Sequence, residues 1–255
     1  MNRAMSEIRN SRKRIDAFDL ARGLAVLFMV SVHVVGTYAT LEVYESPFGW
    51  VFEALGGPPA APVFVFLMGA VLAFSRRSGT WQMARRGLFL LGLGYALNGL
   101  RGALPMWVAI QAGATAAELD GATPVSELLS IDILQFAGMA FLVLALVRRL
   151  TQRPWVWAAL AVAVIGVSPW VWGTASGWAP LDFVLEWLWG TGDGTAFPVF
   201  PWVAFPLMGM AAGAWLSETG NVGRTFRRLA LGGLGLLVAG GALTLTGIDF
   251  HLGDY

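Results

Sequence analysis

Three ionisable side chains stand inside apolar sequence, where a charge is costly and therefore marks a candidate for function: Arg22, His33 and Asp132. Arg22 and His33 share one apolar segment. On a helix, their spacing of eleven residues corresponds to about three turns, or about 16 Å, with both side chains within about 20° of one face. One face then carries a guanidinium near one end and an imidazole near the other. An imidazole changes protonation near neutral pH, so it can accept a proton from a hydroxyl or an amine. A neighbouring carboxylate orients the ring and favours its charged form. Asp132 is predicted at the depth of His33, with Gln135 three residues on, and Asn98 and Arg101 fall at the same level.

Each residue also has an ordinary explanation. Arg22 can snorkel to the interface and fix topology, or pair with Asp19 three residues earlier. His33 can bond between helices. Asp132, in the run Ser130-Ile131-Asp132, can cap a helix. The combination is harder to explain away than any one member.

The elements that must position these residues are membrane helices. The chain has 255 residues, of which 56% are hydrophobic and 13% charged, whereas a soluble domain carries about 25% charged residues. Disordered, collagen-like and most soluble folds are thereby excluded. Seven apolar blocks are long enough to span, at roughly 17–38, 59–75, 84–100, 130–147, 154–172, 199–216 and 228–247. The expected fold is all-α, a polytopic membrane bundle of about seven helices. It divides into a basic N-terminus (1–16), a transmembrane domain (17–247) and an exterior tail (248–255).

Charge placement supports that count. Fifteen of the 17 basic residues fall before the first block or between the second and third, the fourth and fifth, and the sixth and seventh. By the positive-inside rule these loops and the N-terminus are cytoplasmic. The opposite loops carry most of the acidic residues. Gly209 with Gly213, Gly92 with Ala96, and Gly235 with Ala239 have the small-x-x-x-small spacing of close helix packing, and Pro206 is expected to kink the sixth helix. Cysteine is absent and only two His are present, so no metal centre is expected. The net charge of +1 gives no footprint for nucleic acid.

The segment RIDAFDLARGLAVLFMVSVH, Arg14 to His33, resembles the opening of transmembrane acyltransferases, and Arg22-x10-His33 is similar to the signature of the membrane enzymes that acetylate O-antigen and peptidoglycan. PVFVFLMGAVLAFSRR (62–77), ARRGLFLLGLGYALN (84–98) and IDILQFAGMAFLVLAL (131–146) resemble a sister group, the bacterial relatives of heparan-alpha-glucosaminide N-acetyltransferase. The resemblance covers residues 14–147 well and the remainder loosely. It implies transfer of an acyl group, typically acetyl from cytoplasmic acetyl-CoA, to a glycan acceptor at the outer face of a bacterial inner membrane. His33 would be base or acyl carrier, Arg22 would help position the donor, and Asp132 would complete the polar site. The lysosomal enzyme carries its catalytic His in the first exterior loop. Residues 39–58 here hold none, which favours the Arg-x10-His chemistry. Relatives continue for further helices, so the tail containing His251 is expected to precede another span.

Arg76, Arg77, Arg85 and Arg86 are candidates to hold the phosphates of the donor, through the planar fork that guanidinium presents to phosphate. The competing readings are a solute or proton-coupled transporter lined by Arg22, His33 and Asp132, and a membrane subunit with no site.

Overall fold

The computed structural model describes residues 15–57, 59–74, 79–190, 195–219 and 222–244. The helices, in chain order, are α1 (Asp16–Tyr38), α2 (Leu41–Tyr44), α3 (Pro47–Gly56), α4 (Ala60–Phe74) and α5 (Thr80–Asn98). A π-helical turn, Gly99–Ala103, then leads into α6 (Leu104–Gln111). There follow α7 (Pro124–Leu129), α8 (Ile133–Leu150), α9 (Pro154–Val171), α10 (Ala179–Trp189), α11 (Val199–Trp202), α12 (Ala204–Thr219) and α13 (Val222–Thr244). Among the described residues the only β-type pairing is an isolated bridge between Ile131 and Thr195. The chain is an all-α polytopic membrane bundle.

Six stretches among the described residues are long and apolar enough to cross a membrane: Asp16–Tyr38, Pro47–Ala73, Thr80–Gln111, Ile133–Leu150, Pro154–Val171 and Val199–Glu218. The seventh expected span does form a helix, but Arg224, Arg227 and Arg228 occupy the first turns of α13, which shortens its apolar part. Leu20, Leu24, Leu27, Val30 and Val34 of α1 are exposed, as are Leu231, Leu234, Leu237 and Val238 of α13. In water such patches would drive association; in hydrocarbon they meet chemically similar neighbours. Trp81 and Trp155 are exposed near the N-terminal ends of α5 and α9, and Trp107 on α6 and Trp170 at the C-terminal end of α9 are exposed as well. Exposed indoles near the ends of spans are the aromatic belts of a spanning protein.

The described chain groups into two compact units, divided after Leu67. In the first, α3 packs on α1. Phe28 meets Phe52 at 6.2 Å between ring centroids, and a methyl group at Gly56 would lie 2.7 Å from Val32 Cβ, so only glycine lets these backbones approach. The segment 39–58, expected as a loop, is therefore largely helical. Ser46 caps α3 by accepting the Gly49 N–H at 3.3 Å, and Pro47 begins it.

In the second unit the main pairing is α5 with α8. A methyl group at Gly87 would come within 2.7 Å of the Gly138 carbonyl oxygen, and one at Gly138 within 2.8 Å of the Gly87 carbonyl oxygen. The two glycines face each other, and the helices touch through their backbones. Phe136, Ala140 and Leu144 of α8 are fully buried behind this contact. The end of α4 makes a similar approach to α12, with Gly69 against Pro206 and Gly213 against Ala70.

Several expectations are corrected. An added methyl at Gly92 or Gly235 would have no neighbour within 4 Å, so these two face open surface instead of a helix. The sixth span breaks at Phe200 (φ −101°, ψ 126°), not at Pro206. Pro206 is the third residue of α12, where a missing N–H leaves no intrahelical bond unmade. The third span continues beyond residue 100 to Gln111, and helices α7 and α10 lie between the expected spans, within 101–129 and 173–198. Arg76, Arg77 and the tail with His251 lie outside the described residues.

The glycine contacts give a paired prediction. Gly87→Ala should destabilise the detergent-solubilised protein by about 1–3 kcal/mol through overpacking, while Gly92→Ala should leave its thermal transition unchanged. Equal effects in a thermal-shift series would contradict the packing described.

Candidate functional site

In the first unit, α1 presents Arg22 and His33 as its periodicity requires. Arg22 is half-buried and His33 exposed. Arg22 Nη1 lies 3.9 Å from Asp19 Oδ1, one turn earlier, with both side chains more than a third exposed. A pair so long and so solvated holds the guanidinium only loosely. Phe28 and Val32, which pack toward α3, lie about 140° and 100° round the helix from His33. The face that carries Arg22 and His33 is thus not the one that α3 covers. The pair remain three turns apart, with no contact between them.

In the second unit, Asp132 is the N-cap of α8. Its Oδ1 accepts the Ile133 N–H at 2.7 Å, and its own N–H donates to Gln135 Oε1 at 3.3 Å. This reciprocal arrangement is a capping box, with Gln135 at the third helical position. The second oxygen, Oδ2, accepts from Arg101 Nη2 at 2.6 Å. Arg101 comes from the π-helical turn 99–103, a local widening of the kind found at functional sites. One carboxylate thus does two jobs: it starts a helix and holds a guanidinium. Asp132 is the end point of a network as well as a cap.

Beneath it, Gln135 is 1% exposed and its Nε2 has no hydrogen-bond partner. A methyl group at Gly94 would lie 2.8 Å from the Gln135 amide carbon, so this amide occupies the space that the glycine leaves on α5. Asn98, 3% exposed, donates through Nδ2 to the Ser130 carbonyl at 2.8 Å and to Ser130 Oγ at 3.0 Å. These bonds tie the outer end of α5 to the strand-like link before α8. Ala196 N–H donates to the Ile131 carbonyl at 3.0 Å and tethers the segment after residue 194 to the same link.

The result is a cleft of about 480 Å³ at the outer end of the second unit. Arg101, Asp120, Ser126, Glu127, Ser130 and Asp132 line it. Asn98 does not line it, but bonds Ser130, which does. Asp120 and Glu127 were not singled out from sequence. The capping pair that places Glu127 was available, however. Thr123 accepts the Ser126 N–H at 3.0 Å, and Ser126 Oγ accepts the Thr123 N–H at 2.8 Å, around Pro124 at the first helical position. That pattern starts a helix, and its signal was hidden inside an apparent loop.

Arg85 and Arg86 lie in the first two turns of α5, both exposed. Neither has an ion pair among the described residues. Their guanidinium groups are exposed near the N-terminal end of α5.

Residues 14–242 match the family model described as heparan-alpha-glucosaminide N-acetyltransferase, catalytic. The match extends well past residue 147, where the readable motifs stop. No individual characterised protein and no solved structure matches the chain.

Two predictions follow from the cap and from the outer loop. Asp132→Ala should lower stability by about 1 kcal/mol more than Asp132→Asn, because Asn still accepts at the N-cap; thermal-shift midpoints check this. In the outer loop, Asp182 accepts the backbone N–H of Ser176 at 2.6 Å and its hydroxyl at 2.7 Å, which holds the carboxyl below its ordinary value. A group lowered on folding stabilises above its unfolded value and loses that contribution as pH falls through the folded one. Hydrogen exchange over 176–182, corrected for intrinsic rates, should therefore step up at acid pH. In Asp182→Asn it should be faster throughout and show no step.

Proposed function

The chain belongs to the heparan-alpha-glucosaminide N-acetyltransferase catalytic family, and on that premise we propose that it moves an acetyl group from cytoplasmic acetyl-CoA to a glycan acceptor at the outer face of the bacterial inner membrane. The observation that carries this reading is the face of α1. It bears Arg22 near one end and His33 three turns on toward the other, and α3 leaves it uncovered; the placement of basic residues assigns the Arg22 end to the cytoplasm.

His33 is the side chain with the right chemistry for the transfer. Its imidazole takes the proton of the acceptor amine or hydroxyl as the new acyl bond forms and the thioester C–S bond breaks, and that proton balances the departing CoA thiolate; in the covalent variant a ring nitrogen displaces the thiolate, carries the acyl group and passes it to the acceptor. Arg22, held loosely by Asp19, can turn toward the donor side without breaking a strong bond. Arg85 and Arg86 fit the donor's phosphates, because each offers an exposed guanidinium with no carboxylate to compete. Bound there, acetyl-CoA supplies an activated acyl carbon. In the second unit, the outer cleft offers guanidinium, carboxylate and hydroxyl groups of the kind that hydrogen-bond sugar hydroxyls and amines.

The test uses membranes containing the full chain, labelled acetyl-CoA and amino-sugar or polysaccharide acceptors. His33→Ala should lower transfer by about 100-fold to 10,000-fold, the range for loss of a general base, at unchanged protein level. Transfer at the wild-type rate in that variant would overturn the assignment. Solute flux in proteoliposomes without any CoA would favour the transporter instead.

A further inference from the structure

The cytoplasmic end of the second unit holds a second cavity, distinct from the outer cleft. Its volume is about 140 Å³, several times the share of a water molecule, which is about 30 Å³. The last turns of α4, α8 and α12 and the first turn of α9 line it on one side and leave it open on the other, with Trp157, 1% exposed, as one wall. Its polar lining is Arg148, Gln152, Ser217 and Glu218.

Two features set this cavity apart. Arg148 is half-buried and has five N–H donors, yet among the described residues its hydrogen bonding amounts to one long contact, Nη1 to the Leu72 carbonyl at 3.4 Å. Glu218 lines the same cavity, and no ion pair within 4.0 Å joins it to Arg148. A cation and an anion therefore border one small space without meeting. Ser217 Oγ is turned to its own helix, donating to the Ala214 carbonyl at 2.7 Å, so its lone pairs remain available as acceptors.

A ligand that complements this lining carries both charges. A simple phosphate would satisfy Arg148 but face the Glu218 carboxylate. A polyanion such as a nucleotide would face it more strongly. A phosphate ester linked to an ammonium group places its oxygens on Arg148 and its N–H donors on Glu218 and Ser217. All the lining helices end here at the cytoplasmic interface, where lipid headgroups lie. We propose that the Arg148–Glu218 cavity binds a zwitterionic phosphate–amine headgroup, that of an aminophospholipid from the inner leaflet. This site is independent of the acetyl-transfer reading.

Native mass spectrometry of the purified full-length protein tests it. Detergent micelles would be doped with phosphatidylethanolamine, phosphatidylcholine or phosphatidylglycerol, and soluble phosphoethanolamine and inorganic phosphate would serve as controls without acyl chains. Wild type should retain phosphatidylethanolamine about tenfold over phosphatidylglycerol, the worth of one charge-assisted hydrogen bond. It should also prefer it over phosphatidylcholine, whose quaternary ammonium has no N–H. Glu218→Gln, an exposed and structurally mild change, should invert the preference toward phosphatidylglycerol. Arg148→Gln should abolish headgroup discrimination. Equal retention of the three lipids by wild type, or an unchanged preference in Glu218→Gln, would overturn the proposal. So would tighter binding of free inorganic phosphate than of phosphoethanolamine, since that would mark a plain anion site.

Discussion

The second unit depends on one contact: α5 and α8 touching backbone to backbone at Gly87 and Gly138. In hydrocarbon there is no oil–water drive to press helices together, so close van der Waals approach and internal hydrogen bonds must do it. Once that crossing is fixed, the outer ends of the two helices are fixed as well. Gly94 receives the Gln135 amide, Asn98 reaches the Ser130 carbonyl, and Arg101 reaches Asp132. The polar groups at the mouth lie two to four turns from Gly87 along α5 and one to two turns from Gly138 along α8. A side chain at either glycine would have to push the two helices apart.

This arrangement has a functional consequence. An enzyme that works across a membrane needs ionisable groups at defined depths, and each such group needs a partner or an aqueous face. Asp132 is satisfied by the helix start and by Arg101. Arg22 is satisfied weakly by Asp19, and His33 lies on an open face. Under the proposed function, the strongly bonded Asp132 would shape a binding surface, and the loosely held Arg22 with the exposed His33 would take part in chemistry.

Much of this was legible in the sequence, for identifiable reasons. The apolar blocks and the alternation of arginines expose topology because the bilayer penalises every exception. Arg22 and His33 share a face because a helix fixes that at any eleven-residue spacing. The Ser-Ile-Asp run showed both the cap and the carboxylate, and the depth of Asn98 and Arg101 was readable from the span. What was not legible depends on pairing between distant segments. Small-x-x-x-small spacing marked Gly92 and Gly235, which meet nothing, and passed over Gly87 and Gly138, which meet each other. The helices within 39–58 and 101–129 were missed because aromatic and loop-like residues mask short capped helices. Arg148 read as a topology residue, since only the fold shows that it borders a cavity opposite Glu218.

The proposed transfer is vectorial: donor on the cytoplasmic side, acceptor outside, and His33 of α1 in its path. Sealed vesicles of known orientation test it directly, with labelled acetyl-CoA supplied only to the cytoplasmic face and an impermeant amino-sugar acceptor only to the outer face. The account predicts labelled product on the acceptor side in wild type and none in His33→Ala. Product only when donor and acceptor share one face would contradict it.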